Sequence, residues 1–260
     1  MSNMFYGSAP FFIVTNLAKS VDYYCDVLGF DRPRMWDSQP PFAMPKRESI
    51  IIMLEQAAGN EVRNNQGKWD AYFWVNDVKA LYESFKNNGA IFHYDLEYRP
   101  AYGNLEFAVK DPDDYILAFA EEVDEAPVMV RSAVEQPVET KFLHMNPVLA
   151  SSNVTRDIAW YEEKLGFKNV YDSSAYSDGP IDYAVVGRQN LFLHLQYQFP
   201  KDMTCTDIRF QVRNIESLFE AYVTKGLLTP DRLNKKTAWH TSEFGLFDPS
   251  GNRITFFEDL

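Results

Sequence analysis

The chain has 260 residues, of which 46% are hydrophobic and 24% are charged, the composition of an ordinary soluble globular protein of one or two domains. Its formal charge of -12 argues against nucleic acid as a partner, because binding to a duplex requires many cations. Two distant cysteines, Cys25 and Cys205, exclude a disulfide framework. The absence of a leader-like segment and of a long apolar run predicts a cytoplasmic protein with no membrane partner.

The first predicted elements are a strand and a helix. The apolar run 11–14 is typical of a short buried strand. Asn16 follows it, and an Asn side chain can cap a helix by accepting a hydrogen bond from a backbone N–H. Apolar side chains then recur at helical spacing from Leu17 to Leu28, and Gly29 supplies the left-handed residue at which helices commonly end.

The rest of the first half predicts strands around a second helix. Runs typical of strands lie at 50–54, 71–75, 105–109 and 115–120. After the second of these, Val78, Leu81 and Phe85 share one helical face, and Gly89 marks the end of the helix. The segment 111–114 predicts a tight turn between two strands, as does 248–251 later in the chain. Each half therefore contains two β-α-β-β-β units.

The second half repeats the first at a fixed distance of 137 residues. Three blocks keep this offset: Pro10, Asn16, Tyr24 and Leu28-Gly29-Phe30 match Pro147, Asn153, Tyr161 and Leu165-Gly166-Phe167; Asp70, Val75, Leu81 and Gly89 match Asp207, Val212, Leu218 and Gly226; Glu106-Phe107 and Asp111-Pro112 match Glu243-Phe244 and Asp248-Pro249. A weaker repeat of 61 residues lies inside each half. The chain is therefore a duplication that contains four related units.

The boundary between the halves is predicted near residue 130. Residues 121–140 carry six acidic residues together with Pro127 and Pro137, which is typical of a linker. We predict a first domain over residues 1–125, a linker over 126–140 and a second domain over 141–260.

These motifs resemble the glyoxalase/bleomycin resistance/dioxygenase family, the vicinal oxygen chelate superfamily. The matching residues are Asn16, Tyr23-Tyr24 and Leu28-Gly29-Phe30, then Val75-Asn76-Asp77-Val78, Tyr102-Gly103, Glu106-Phe107 and Asp111-Pro112, with Trp239, Glu243-Phe244 and Asp248-Pro249-Ser250-Gly251-Asn252 in the second half. The resemblance implies an α+β fold in which four βαβββ modules form two incompletely closed barrel-like sheets. It also implies that each half builds its own sheet around one cavity. It does not fix the chemistry, because the superfamily contains enzymes of several kinds and non-catalytic drug binders.

The same resemblance implies where a metal ion would bind in the superfamily's metalloenzymes. The corresponding positions are Ala9, Asp70, Asn146 and Asp207 on first strands, Ala118 and Thr255 on last strands, and Met53 with Phe192 or His194 on the remaining strand. Zinc, iron and manganese favour several imidazoles or carboxylates at fixed distances, and this set offers few. We therefore predict no metal and no other cofactor.

The resemblance further implies a cavity lined by aromatic side chains. The predicted ligand-binding residues are Trp74, Tyr102, Phe107, Phe192, His194, Phe210, Trp239, Phe244, Asp70 and Asp207, with Trp69 as a further candidate. Aromatic faces stack on planar ligands and attract cations. The sequence thus favours a metal-free protein that sequesters a hydrophobic, planar or cationic small molecule, with a homodimer as a further expectation. The alternative is a lyase, isomerase or dioxygenase with a metal or acid/base site in the second half.

Overall fold

The structure, a computed structural model, describes residues 5–36, 39–59, 62–123 and 140–260. The chain divides into two compact units. Unit A contains the residues up to Phe11 together with Asn146–Leu260, and unit B contains Phe12–Met145. The two long strands Phe5–Val14 and Phe142–Ser151 each begin in one unit and end in the other.

The elements of the first half begin with the strand β1 (Phe5–Val14) and the helix α1 (Leu17–Asp22), which continues as a π-helical turn at Tyr23–Val27. Short strands follow: β2 (Met35–Trp36), β3 (Phe42–Ala43), β4 (Lys46–Arg47), β5 (Ile50–Ile51) and β6 (Met53–Gln56). The second module has longer elements: β7 (Trp69–Val75), α2 (Val78–Asn87), β8 (Ile91–Arg99), β9 (Asn104–Lys110) and β10 (Ile116–Glu122).

The second half again contains two modules that each begin with a strand and a helix. Its third module contains β11 (Phe142–Ser151), α3 (Val154–Trp160) with a π-helical turn at Tyr161–Leu165, β12 (Lys168–Asp172), β13 (Tyr183–Arg188) and β14 (Leu191–Tyr197). Its fourth contains β15 (Asp207–Val212), α4 (Ile215–Thr224), β16 (Thr241–Phe247) and β17 (Arg253–Asp259), with 3-10 turns at Ser173–Ala175 and Pro230–Arg232 in this half. The strand expected between α4 and β16 is reduced to an isolated bridge, Asn234 to Glu243.

The strand order confirms the α+β fold of βαβββ modules but corrects the expectation that each half builds its own sheet. In unit A, the start of β1 pairs antiparallel with β15, so that Ser8 lies opposite Phe210. The strand orders in this unit are β16-β17-β15-β1 and β12-β13-β14-β11. In unit B they are β1-β6-β3-β2 and β11-β7-β10-β9-β8. β1 can pair in both units because its ten residues are more than one partner strand needs.

The predicted helix ends are confirmed. The side chains of Asn16 and Asn153 accept hydrogen bonds from the backbone N–H three residues ahead, at 3.0 and 2.9 Å. Gly29 and Gly166 follow the first helix of each half with φ of 72° and 73°, a conformation that only glycine adopts without strain. Asn214 departs from this pattern: its own φ is 57°, and Glu258 accepts the free N–H groups at the start of α4 instead.

Each unit contains an apolar core between helices and sheet. In unit B the rings of Phe73, Phe85, Phe107 and Phe119 are almost completely buried and pack against one another. In unit A, Phe210, Phe244 and Phe256 pack in the same way. Burial of these rings is the main source of stability, since apolar area removed from water contributes about 25 cal/mol per Å².

Asp111 and Asp248 hold the predicted turns. The carboxylate of Asp111 accepts hydrogen bonds from the N–H groups of Asp113 and Tyr115 at 2.9 Å, and from the phenol of Tyr24 at 3.2 Å. Asp248 makes the corresponding bonds in the second half, including one from Tyr161 at 3.0 Å. Each turn is thereby fixed to the first helix of its half, which accounts for the repeated tyrosine and aspartate.

Most of the predicted linker, residues 126–139, lies outside the described residues. The domain boundaries at 125 and 141 stay a prediction, because the compact units divide the chain at other positions. None of the described helices combines the length and the apolar character that a membrane span requires.

Candidate functional site

A row of aromatic rings lies on the face of β7 that is turned away from α2. Along β7, Ala71, Phe73 and Val75 are buried in the core of unit B. On the opposite face the Tyr72 ring, which is only 2% exposed, lies 5.0 Å from Trp69 and 5.4 Å from Trp74, measured between centroids. Both tryptophans are half-buried.

A β-bulge at Asp70 brings Trp69 into this row. In the pairing of β7 with β10, Trp69 lies opposite Ile116 and Ala71 lies opposite Leu117, so Asp70 is an extra residue on β7. Simple alternation would put Trp69 and Trp74 on opposite faces of the strand. The extra residue reverses the alternation and aligns the two indoles. We refer to Trp69, Tyr72 and Trp74 as the aromatic row.

The next ring beyond the aromatic row is the imidazole of His144. It stacks on Trp74 at 5.7 Å with an interplanar angle of 30°. Partial loss of solvent lowers the pKa of His144 below its usual value, which favours the neutral imidazole at neutral pH. A neutral ring beside an indole extends the flat apolar surface of the row.

A buried carboxylate lies beside the aromatic row, on β9. The side chain of Glu106 is completely buried. Its Oε2 accepts a hydrogen bond from the Tyr72 phenol at 2.6 Å. Its Oε1 accepts three more, from the phenols of Tyr94 at 2.9 Å and Tyr102 at 3.1 Å, and from Nε of Arg99 at 3.0 Å. We refer to these five residues as the Glu106 cluster.

The Glu106 cluster is joined directly to the aromatic row. The indole N–H of Trp69 donates to the Tyr94 oxygen at 3.1 Å, and the Asn104 amide donates to the Tyr72 oxygen at 2.9 Å. Burial raises the pKa of Tyr72 and of Tyr94 well above the usual phenol value, and the charge of Glu106 raises both further. These tyrosines therefore remain protonated donors at neutral pH, and they fix the carboxylate and the row in one arrangement.

Sequence reasoning named only part of this site. Trp69, Trp74 and Tyr102 were candidates, whereas Tyr72, Tyr94 and Arg99 were not. The available signal was the alternation in β9, where Leu105, Phe107 and Val109 are core residues and Glu106 between them must face the other side. The recurrence of Glu106 at position 243 was a second signal.

Three of the predicted ligand-binding rings lie in the apolar cores. Phe107, Phe210 and Phe244 have at most 2% of their surface exposed. Phe107 packs edge-on against Phe85 of α2, and Phe244 packs against Phe219 of α4. These rings face the helices, so packing alone accounts for them and we leave them out of the functional proposal.

The two predicted aspartates are held by groups of the protein itself. Asp70 accepts hydrogen bonds from the backbone N–H groups of Asn65 and Ile116, both at 2.7 Å. Burial raises its pKa well above the usual value despite these bonds. Asp207 forms an ion pair with Arg253 at 2.9 Å. Each carboxylate therefore has a structural role: Asp70 secures the bulge, and Asp207 joins β15 to β17.

The remaining predicted residues lie in unit A. His194 is buried between the Asn146 amide, 3.1 Å from Nε2, and the Tyr183 phenol, 2.8 Å from Nδ1. The Asn146 amide and the Tyr183 phenol thus hold the imidazole from both of its ring nitrogens. Phe192, on the same strand, is half-buried beside Gly187. Trp239 is 61% exposed in the turn before β16, far from complete burial.

The second half lacks an aromatic row at the matching positions. The sequence repeat pairs Tyr72 with Arg209 and Trp74 with Gln211. Arg209 forms an ion pair with Glu243 at 2.6 Å, and β15 pairs with β17 from Asp207 to Gln211 with no shift of register. Two matching carboxylates therefore have different surroundings, aromatic in unit B and charged in unit A.

A surface cleft of about 450 Å³ lies elsewhere in unit B. Its lining includes Gly29, Asp31, Arg47 and Ser84. Arg47 donates to the carbonyl of Leu28 at 2.8 Å and thereby secures the end of the first helix. The cleft has a mostly polar lining and no aromatic side chain, so we do not assign a ligand to it.

Comparison with known proteins agrees with the fold and the motifs. Residues 9–119 match the sequence model of the Glyoxalase/Bleomycin resistance protein/Dioxygenase superfamily. The first half of the chain therefore carries the sequence pattern of this superfamily. The bleomycin resistance proteins of Geobacillus stearothermophilus and Staphylococcus aureus are each 25% identical to it over 44% of this chain and 95% of the relative.

Two solved structures match almost the whole chain in fold. Glyoxalase I from Zea mays superposes with a TM-score of 0.69 at 18% identity, over 98% of this chain and 92% of that protein. A putative dioxygenase from Bacillus subtilis superposes with a TM-score of 0.70 at 14% identity, over 99% of this chain and 86% of that protein. At these identities the likeness concerns the fold alone.

The superfamily's metal positions do not fit a divalent ion in this chain. Asp70, Asn146 and Asp207 are bonded to Asn65, His194 and Arg253 respectively, and Ala9 and Ala118 have no ligand atom. Within the described ranges, no three His, Cys, Asp or Glu side chains come close enough to share an ion. We therefore derive no chemistry through a metal.

Proposed function

We propose that this superfamily member binds a planar hydrophobic or cationic small molecule at the aromatic row of unit B, without a metal ion. The observation that carries the proposal is the alignment of Trp69, Tyr72 and Trp74 on one face beside Glu106. A fold that only needed a filled core would gain nothing from aligning two half-buried indoles on the side away from α2, because the core lies on the other face.

The physical basis of binding is the contact of flat surfaces. Aromatic pairs contribute about 0.5–1.5 kcal/mol beyond the area they bury, and a cation over a ring contributes about 0.5–2 kcal/mol. The neighbouring strand β10 carries small side chains, Ala118 and Ala120, directly opposite Tyr72 and Trp74 in the register. Small residues at these positions keep the ring faces free of bulky neighbours on that strand.

The relatives support a binding role but do not specify the ligand. Two of them are named bleomycin resistance proteins, and their alignment spans 44% of this chain. Bleomycin is therefore the first compound to test, followed by neutral and cationic planar aromatics. The cytoplasmic location, the homodimer and the lack of a cofactor remain predictions from the sequence.

The test measures binding to variants that remove one indole. Ligand binding by the purified protein is followed by thermal shift and by calorimetry, and Trp74→Ala is compared with Trp239→Ala. We expect Trp74→Ala to weaken binding about tenfold or more, which corresponds to the loss of about 1.4 kcal/mol, and Trp239→Ala to leave it unchanged. If Trp239→Ala abolishes binding and Trp74→Ala does not, the site has been placed in the wrong half. Stoichiometric metal in the purified protein would contradict the metal-free role.

A second candidate function is metal-independent proton transfer by His194 and Tyr183. The observation that favours it is the hydrogen-bonded series from Asn146 through His194 to Tyr183, since an imidazole held next to a phenol is suited to acid–base chemistry. The test is deuterium incorporation from D2O into a panel of enolisable ketones and aldehydes, followed by NMR. Exchange that is lost in His194→Gln supports the enzyme, and exchange equal to that of buffer excludes this chemistry for the panel.

A further inference from the structure

We propose that Arg99 is a displaceable counter-ion: it neutralises Glu106 in the free protein, and a ligand that carries an amidinium or guanidinium group on a planar ring takes its place. This inference rests on the proposed function, because it assumes that a small molecule binds at the aromatic row. It adds the chemical class of the ligand and names the residue that controls access to the carboxylate.

The first step is the requirement of Glu106 for a cation. A carboxylate without solvent contact is destabilising unless hydrogen bonds and an opposite charge compensate it. The phenols in the Glu106 cluster supply hydrogen bonds, and Arg99 supplies the charge. The matching residue Glu243 also has a guanidinium partner, Arg209. Both copies of this carboxylate therefore sit next to an arginine.

The two arginines are held very differently. Arg209 projects from β15, which pairs on both sides with other strands, and only 16% of its side chain is exposed. Its guanidinium also packs over the Phe257 ring at 5.1 Å. Arg99 is the last residue of the edge strand β8, and 34% of its side chain is exposed. The pairing of β8 with β9 is also irregular, with register shifts between Phe92 and Tyr94 and between Tyr94 and Glu97. Arg99 is therefore the more easily moved of the two.

Arg99 also has a second carboxylate within reach. Its Nη2 lies 2.5 Å from Glu97, whose side chain is 45% exposed. When Arg99 leaves Glu106, its charge remains paired with Glu97 at the surface and regains water. Displacement of Arg99 therefore leaves no unpaired charge on the protein, provided that an incoming cation neutralises Glu106.

The position that Arg99 would vacate suits a flat cation. The guanidinium now lies over the Tyr94 ring at 4.9 Å, and Tyr94 is bonded to Trp69 of the aromatic row. A ligand with a planar ring and a forked N–H group can place the ring on the row and the fork on the Glu106 carboxylate. Amidinium and guanidinium groups have this geometry, since both present paired N–H donors to a carboxylate.

The experiment compares benzamidine with its uncharged analogue benzamide. Affinities are measured by calorimetry, with tryptophan fluorescence as a second readout, for wild type, Arg99→Gln, Arg99→Lys and Arg209→Gln. We expect Arg99→Gln to increase the benzamidine affinity about tenfold relative to benzamide, because the resident charge is gone. Arg99→Lys keeps the charge and should keep the wild-type ratio. Arg209→Gln removes the matching charge in the other half and should change nothing.

A surface variant makes the test independent of how Arg99 variants fold. Glu97→Gln removes only the exposed carboxylate that pairs with Arg99, so we expect the protein to fold. Displaced Arg99 then has no carboxylate partner, and benzamidine should bind about threefold more weakly. An unchanged benzamidine-to-benzamide ratio in folded Arg99→Gln overturns the inference. If Arg99→Gln does not fold, unaltered benzamidine binding by Glu97→Gln overturns it instead.

Failure of this inference is distinguishable from failure of the proposed function. Binding of benzamide and benzamidine that depends on Trp74 but shows no response to charge at position 99 overturns the counter-ion role and leaves the aromatic site intact. Absence of binding by either compound, together with no binding by any planar probe, overturns both.

Discussion

The hydrogen bond between Tyr72 and Glu106 gives a sharp test of the Glu106 cluster. We consider Glu106→Leu, which keeps similar volume and removes the acceptor. Arg99 retains Glu97, and the half-buried Tyr102 can turn toward water. Tyr72 and Tyr94 lose an acceptor in surroundings with little water, and a buried hydroxyl without a partner costs about 1–3 kcal/mol. The expected loss is therefore about 2–6 kcal/mol of unfolding free energy.

The contribution of the Tyr72 bond alone is measured by a double-mutant cycle with Tyr72→Phe. The O–O distance of 2.6 Å and the charged acceptor indicate a strong bond, so we expect a coupling energy of about 1–2 kcal/mol. Urea unfolding, followed by fluorescence and by circular dichroism, gives the free energies and checks that the m-value is unchanged. The matched control is Tyr82→Phe, whose phenol is bonded to Asp95 at 2.9 Å, and its coupling to Glu106→Leu should be near zero. A Tyr72 coupling no larger than that of Tyr82 would refute the arrangement described here.

Three further predictions concern the fold. Phe107→Ala should lower the unfolding free energy by about 3–5 kcal/mol in urea titration, since the ring is completely buried. A small loss of unfolding free energy together with loss of ligand binding would show that Phe107 belongs to the binding site. Gly166→Val should lower it by about 1–3 kcal/mol because φ is 73°, whereas Gly59→Ala, in open space, should change it by less than about 0.5 kcal/mol. Burial raises the pKa of Asp111 to about 7, so the folded protein binds this proton more tightly than the unfolded chain. Its contribution to stability should therefore fall as pH rises from about 4 to about 7, and Asp111→Asn, unlike the same change at exposed Asp114, should flatten that slope.

The local elements of this fold were predictable because the signals are local. The caps at Asn16 and Asn153 and the left-handed glycines at 29 and 166 act within one turn of helix, and the structure confirms them. The duplication was equally visible, since a fixed offset needs no tertiary information. Pairing between strands distant in sequence was not: no residue in 5–11 shows that its partner is β15 rather than a strand of its own half.

The site was less predictable than the fold, for two physical reasons. The bulge at Asp70 is recognisable only from the pairing with β10, and without it alternation separates Trp69 from Trp74. The sequence does not show on which face of a strand an aromatic ring lies. Phe107 was therefore grouped with Trp74, although Phe107 faces α2 and Trp74 faces away from it. The number of aromatic residues therefore indicated an aromatic site but did not show which rings belong to it.

The duplication also explains why one carboxylate position can have two uses. Glu106 and Glu243 occupy matching positions on β9 and β16, and each needs a positive partner. Where the neighbouring first strand supplies that partner itself, as Arg209 does, the charged side chain takes the position that a tyrosine has in the other unit. Where the first strand carries Tyr72 instead, the positive charge has to come from outside the strand, and Arg99 brings it from the β8 edge. The residue at this one position of the first strand, Tyr72 or Arg209, thus determines what the face carries. It carries either an ion pair or an aromatic surface with a movable counter-ion.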